Sequence, residues 1–239
     1  MRTLLITYPR TGSSAWCKNW DILNHSDISN HHELLSTRKL AKDPEQRDRR
    51  QQRIDDQLLS LGIKKELDIS NNTDVIKLLQ LFVEHDLTVC LKWFGNFNQF
   101  FNKDMVELLT TEFDFKPVTL YRENMLDACL SYVVANVTKQ YNSTPENFVD
   151  YSKQTIENWE LDKIGRRIDY YFDRYVNPWI NYKHISGYTY ERDVLNLKLY
   201  NNVKLYDQHT KERMLGSDVV DYIRSKIKDN GYKDNSNWL

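Results

Sequence analysis

The chain has 239 residues, with 33 basic and 34 acidic side chains and a formal net charge of −1, which excludes a protein drawn to nucleic acid or to anionic lipid by its overall charge. At 40% hydrophobic and 28% charged residues the composition excludes a disordered chain. Folding at this length hides roughly 70–75% of the unfolded surface, and the expectation is a single domain over residues 1–239.

Taken in chain order, Leu4-Leu5-Ile6 is a short buried-strand pattern, ended by Tyr8-Pro9 and followed by the turn Thr11-Gly12-Ser13-Ser14. A helix with Trp16, Trp20 and Leu23 on one face follows, so the opening unit is strand, polar loop, helix. Lys42-Asp43-Pro44-Glu45 reads as a helix start, with Asp43 as N-cap and Pro44 in the first turn, and the helix is almost wholly polar from Gln46 to Gln57. Arg47, Arg49, Arg50 and Arg53 give that segment an alternative reading as an RNA-binding arm, which the interleaved Asp48, Asp55 and Asp56 oppose.

Asn72-Thr73-Asp74 is expected to cap a helix carrying Val75, Ile76, Leu78, Leu79, Phe82 and Val83. Residues 87–93 read as a second buried strand, 103–113 as a helix capped by Asn102, 118–121 as a third strand and 124–140 as a long helix. Residues 145–182 read as two helices rich in Tyr and Trp. Their aromatics fit a core better than an acceptor pocket. Residues 185–190 read as a fourth strand, and Ser217 is expected to cap a last helix that Gly231 ends. Strands alternating with helices predict an α/β fold, a P-loop-like parallel sheet flanked by helices on both faces, with helical insertions.

Three widely spaced cysteines, Cys17, Cys90 and Cys129, form no CxxC pair and indicate neither a zinc site nor a disulfide framework. The N-terminal apolar run is too short for a signal peptide, and no stretch approaches the roughly 18–20 apolar residues of a membrane span. The expected setting is cytoplasmic, with no membrane and no nucleic-acid partner.

Two motifs carry chemistry. A strand that ends in a Gly-containing loop and opens a helix is an anion trap, because the first-turn N–H groups and the helix dipole both favour negative charge. Ser13 and Ser14 add hydroxyl donors there, and Arg10 adds a planar cation suited to a pair of anionic oxygens. The loop is not a Walker A loop, which needs GxxxxGK[ST]; an ordinary strand-to-helix turn is the plainer alternative. The second motif runs from Thr119 to Ser131. Arg122 stands at the carboxyl end of a strand, where ligands bind in open α/β sheets, and Ser131 lies about two turns into the next helix. Together they offer a clamp for a second phosphate.

Tyr8-Pro9-Arg10-Thr11-Gly12-Ser13-Ser14 resembles the 5′-phosphosulfate loop of sulfotransferases, commonly YP[KR]SGTT, which use the donor 3′-phosphoadenosine-5′-phosphosulfate (PAPS) and release PAP. Arg122 to Ser131 resembles that family's 3′-phosphate motif, R-N-x-x-D-x-x-x-S, in a form one residue longer. The resemblance implies that Arg10 neutralises charge on the leaving 5′-phosphate oxygen, that Thr11, Gly12, Ser13 and Ser14 surround that phosphate, and that Arg122 and Ser131 hold the 3′-phosphate. Trp16 matches the Trp near the adenine, with Ala15 intervening. The C-terminal RKG segment of the cytosolic animal members is absent, so the likeness is to bacterial and carbohydrate-type members. Lys92 matches the Lys of the family's K-x-H segment, but Phe94 stands where the His would be. Residues 30–35 resemble a segment in which other members place a catalytic Glu, which makes Glu33 the expected general base and His32 the reserve. The implied activity is sulfuryl transfer to a small-molecule or carbohydrate hydroxyl, with no metal; a non-catalytic nucleotide-binding module is the alternative.

Overall fold

Four strands build one parallel sheet: β1 (Arg2–Thr7), β2 (Val89–Phe94), β3 (Lys116–Tyr121) and β4 (Gly187–Thr189), in the order β2-β1-β3-β4. The structure, a computed structural model, describes residues 1–28, 44–94, 105–140, 149–153, 161–194 and 206–232. In β1 successive side chains alternate between the faces. Leu4 and Ile6 join the larger core with Leu91, Trp93 and Met125, while Leu5 joins Trp16, Cys17, Trp20, Cys90 and Leu120 on the opposite face. Both faces are therefore apolar and covered, which is why β1 and β2 read as near-continuous hydrophobic runs.

The first helix, α1 (Ser13–Leu23), lies on the smaller core. Next come α2 (Pro44–Ser60), anchored by buried Ile54 and Leu58, and α3 (Asn72–Glu84). On α2, Arg47 pairs with Asp48 at 2.9 Å and Arg49 pairs with Glu45, so these arginines are spent on their own helix surface. After β2 comes α4 (Met105–Thr111), and after β3 comes α5 (Met125–Thr138). A helix α6 (Leu161–Tyr171) runs through a π-helical turn, Phe172–Val176, into the short α7 (Asn177–Ile180). A second π-helical turn, Tyr190–Val194, follows β4, and α8 (Gln208–Leu215) and α9 (Ser217–Asp229) come after it. Tyr171, Phe172 and Trp179 are buried in the core and Tyr151, Tyr175 and Tyr182 pack against it, whereas Tyr170 is exposed.

Several helix ends differ from the sequence expectation. Asn71, not Asn72, caps α3: its extended backbone lets the side chain accept from the Thr73 N–H at 2.9 Å, and Asn72 is already helical. Gly216, not Ser217, stands at the N-cap of α9, and Ser217 turns its hydroxyl to Asp218 instead. From 161 to 180 the chain stays helical, α6 passing through the π turn into α7 with Pro178 in its first turn, whereas much of 145–160 lies outside the described residues. Helix α8 was not anticipated, although its cap was legible: Asp207 accepts from the Thr210 N–H at 2.7 Å. Asp43 and Asn102, expected as caps, lie outside the described residues.

The strand order positions the site. The chain leaves β1 for β2 on one side and then crosses to β3 on the other, so the loops after β1 and β3 diverge from a switch point. In open parallel sheets the crevice beyond the strand ends at such a point is where ligands bind. Among the described residues no helix is long and apolar enough to cross a membrane.

Candidate functional site

The two motifs meet at that switch point. The Tyr8 side chain, fully buried against Tyr171 and Trp179, joins them: its hydroxyl donates to the Arg122 carbonyl (3.2 Å) and accepts from the Arg122 N–H (2.9 Å). Tyr171 donates to the Pro9 carbonyl at 2.8 Å, and burial pushes its hydroxyl pKa well above the ordinary value, so it remains a donor. The loop is thus pinned from behind by two tyrosines.

Within the loop, Arg10 (φ 72°) and Gly12 (φ 74°) both adopt left-handed backbone. Gly12 opens α1 with no side-chain cap, a helix start of the kind whose first-turn N–H groups favour an anion. The Thr11 hydroxyl is buried 2.7 Å from that of Thr7, which donates to the Leu120 carbonyl (2.9 Å); Thr11 therefore shapes the loop from inside. Ser13 is buried and Ser14 exposed. On the α1 face of the sheet, Lys92 extends its amine to within 3.5 Å of the Ser14 hydroxyl and sits 5.0 Å from the Phe94 ring centre. Trp16 is buried in the smaller core with its ring 5.2 Å from that of Tyr188, a packing role that gives it little face for an adenine.

The second motif is tightly organised. The Arg122 guanidinium, almost fully buried, donates to the Arg10 carbonyl (3.1 Å) and to the Ser131 hydroxyl (3.3 Å), pairs with Asp127, and lies 4.1 Å from the Tyr190 ring centre. Asn124 caps α5 by accepting from the Asp127 N–H (2.9 Å), which holds Asp127 in the first turn facing Arg122. The Arg10 side chain shares a small cavity with Ser131, Thr138, Gln140, Tyr206 and Lys211. It therefore belongs with the Arg122 cluster, whereas Lys92 accompanies Ser14.

Lys211 on α8 was not singled out in the sequence, where it is one cation among many on a polar helix. In the structure it is buried and bonds Asp127 at 2.5 Å. Desolvation, followed by the nearby Arg122 and Arg10 charges, outweighs Asp127 and brings its pKa down to about 8. The same burial, together with Arg122, lowers Arg10, although a guanidinium keeps its proton. Both shifts have the sign that burial of a cation gives, with neighbouring positive charge adding to it.

The Lys211 shift has a stability consequence. Below pH 8 the amine is charged in both the folded and the unfolded chain, and the folded state carries the full penalty of burying it. Between about pH 8 and the ordinary lysine value of 10.5 the folded chain sheds that proton first, so stability rises with pH. Unfolding at stepped pH should show the wild-type protein gaining on the order of 1–3 kcal/mol over this window relative to Lys211→Met. Parallel curves would place the Lys211 pKa near its ordinary value.

Glu33 and His32, the expected base and its reserve, lie outside the described residues. Cys17 and Cys90 are buried free thiols with sulfurs 4.0 Å apart, and Cys129 is buried elsewhere. Among the described residues no group of three or more His, Cys, Asp or Glu side chains could hold a metal ion. In comparisons with known proteins, no family model, no curated protein and no solved structure matches the chain.

Proposed function

We propose that this protein is a sulfotransferase with a P-loop-like nucleotide site, moving a sulfuryl group from PAPS to a hydroxyl acceptor. The observation that carries the proposal is the meeting of two anion-binding motifs at one switch point, joined by the paired hydrogen bonds between Tyr8 and Arg122. Two phosphate sites side by side suit a nucleotide phosphorylated at both ends of its ribose. In this reading Gly12, Ser13 and Ser14 hold the 5′-phosphosulfate and Arg122 and Ser131 the 3′-phosphate. Arg10 lies with the Arg122 group, and Lys92 stands beside Ser14 where charge develops on the sulfuryl oxygens.

The transfer itself is an in-line displacement. A base, Glu33 or in reserve His32, takes the acceptor hydroxyl proton as the acceptor oxygen bonds to sulfur. The bond from sulfur to the 5′-phosphate oxygen breaks, and PAP leaves with that electron pair. Such a transition state carries its charge on peripheral and leaving oxygens, so positioning and fixed cations supply most of the catalysis.

The proposal is tested by ligand stabilisation. A ligand that binds only the folded state at a hundred times its Kd adds about 2.7 kcal/mol, worth about 5–10 °C in Tm for a chain of this size. PAP should give such a shift, and AMP at the same concentration a clearly smaller one, because AMP has no 3′-phosphate for Arg122 and Ser131. Equal shifts would remove the basis for naming the donor. One observation favours the alternative of a nucleotide-binding module without transfer: the Tyr190–Val194 turn packs directly on Gly12, over the loop. Transfer of label from PAPS to any hydroxyl acceptor separates the two readings.

A further inference from the structure

The second anion site holds more positive charge than its two motif residues bring. Arg122 and Lys211 share one carboxylate, Asp127, whose Oδ2 accepts from Arg122 and whose Oδ1 accepts from Lys211, and Arg10 lines the adjoining cavity. All of this lies in a buried setting where unbalanced charge is costly. Lys211 reaches the site from α8, about eighty residues beyond Ser131 in sequence, and lines the same cavity as Ser131 and Arg10. Asn124, which fixes Asp127 through its cap, also donates to Gln208 on α8 at 2.7 Å, so the helix carrying Lys211 is tied to the motif helix at a second point.

We infer that Lys211 is a third phosphate-binding cation of this site, and that Asp127 is an internal stand-in that occupies Arg122 and Lys211 until a phosphate dianion displaces it. The inference rests on the proposed donor reading for the identity of the nucleotide, but its chemistry is that of any terminal phosphate dianion. A dianion there would meet Arg10, Arg122 and Lys211 together, and the Ser131 hydroxyl supplies a neutral donor beside it. Lys211 then selects nucleotides with a second, terminal phosphate over those without one. The lowered pKa fits this: the ligand-free site holds Lys211 poised to lose its proton, and an arriving dianion would raise it again.

The test is calorimetric titration of PAP, AMP and inorganic phosphate into the wild-type chain, Lys211→Met, Lys211→Arg and Asp127→Asn, with thermal unfolding of each. A charge-assisted hydrogen bond is worth about 1.5–3 kcal/mol, so Lys211→Met should weaken PAP and phosphate by roughly 10–100-fold while AMP affinity is unchanged. Lys211→Arg should keep most of the PAP preference. Asp127→Asn should melt lower without ligand, since two buried cations lose their counter-ion, and should show a larger PAP-induced rise in Tm than the wild type. If Lys211→Met is folded and keeps the wild-type preference for PAP over AMP, the inference is wrong and the donor reading stands. If the wild type binds phosphate through Lys211 but does not prefer PAP to AMP, the inference stands and the donor reading falls. Equal loss of PAP and AMP in Lys211→Met would mean that the residue acts on the fold or on the 5′ end, which overturns the inference. Absence of binding by any of the three ligands overturns both.

Discussion

Arg10→Ala should lower turnover by roughly 10²–10³-fold, the loss seen when one preorganised charge stabiliser is removed from a reaction that develops charge on oxygen. The structure adds a second effect. Because the Arg10 side chain lines the cavity with Ser131 and Lys211, the same variant should also weaken PAP binding, whereas Lys92→Met should reduce turnover with PAP affinity largely kept. The two variants differ because Lys92 reaches Ser14 on the α1 face, away from the Arg122 cluster. The fold should survive in Arg10→Ala, since the Arg10 carbonyl that receives Arg122 belongs to the backbone and remains. Steady-state rates with a saturating acceptor, set beside PAP titrations, separate the two effects. Full turnover in Arg10→Ala would assign the leaving-oxygen charge to another group.

Gly12→Ala should be the most damaging single-methyl change at the site. Gly12 sits at φ 74°, where a β-carbon costs about 1–2 kcal/mol by clash with the following carbonyl. The added carbon would also lie 2.6 Å from the Tyr190 ring and 2.7 Å from Val194. Neither neighbour is a loose chain end: Val194 belongs to the smaller core and Tyr190 covers Arg122. Overpacking of this kind costs about 1–3 kcal/mol. The sum, about 2–5 kcal/mol, corresponds to a fall in Tm of about 5–15 °C for a chain of this length. Because the displaced Tyr190 ring lies over Arg122, PAP affinity should fall as well. Gly62 provides the control: it has nearly the same φ, 77°, with open space where its β-carbon would be, so Gly62→Ala should show the backbone cost alone. Thermal unfolding of the two variants side by side measures the difference, and equal losses would mean that the Tyr190–Val194 turn yields freely.

What could be read from the residues alone was whatever depends on short stretches of chain. β1 and β2 showed as apolar runs because both sheet faces are covered there, and the strand-loop-helix order around Gly12 showed because a glycine in a polar turn between two periodic segments is a local signal. The spacing from Arg122 to Ser131 also brought the two side chains together, since nine residues join a strand end to the second turn of a helix. Cap positions slipped by one residue at Asn71 and Gly216, where several polar residues compete and only the backbone dihedrals choose between them.

The tertiary structure alone decided the rest. Strand order is set by long crossovers that leave no trace in local pattern, yet it puts the ends of β1 and β3 side by side and so makes one site of two motifs. It turned the Arg10 side chain toward Ser131 rather than toward Ser14, and it sank Trp16 into the core beside Tyr188. It also brought Lys211 to Asp127 across 84 positions of sequence. A lysine on a polar helix has no local mark that it will be buried. Its lowered pKa follows from the low-dielectric surroundings and the neighbouring charges, and those exist only once the chain has folded.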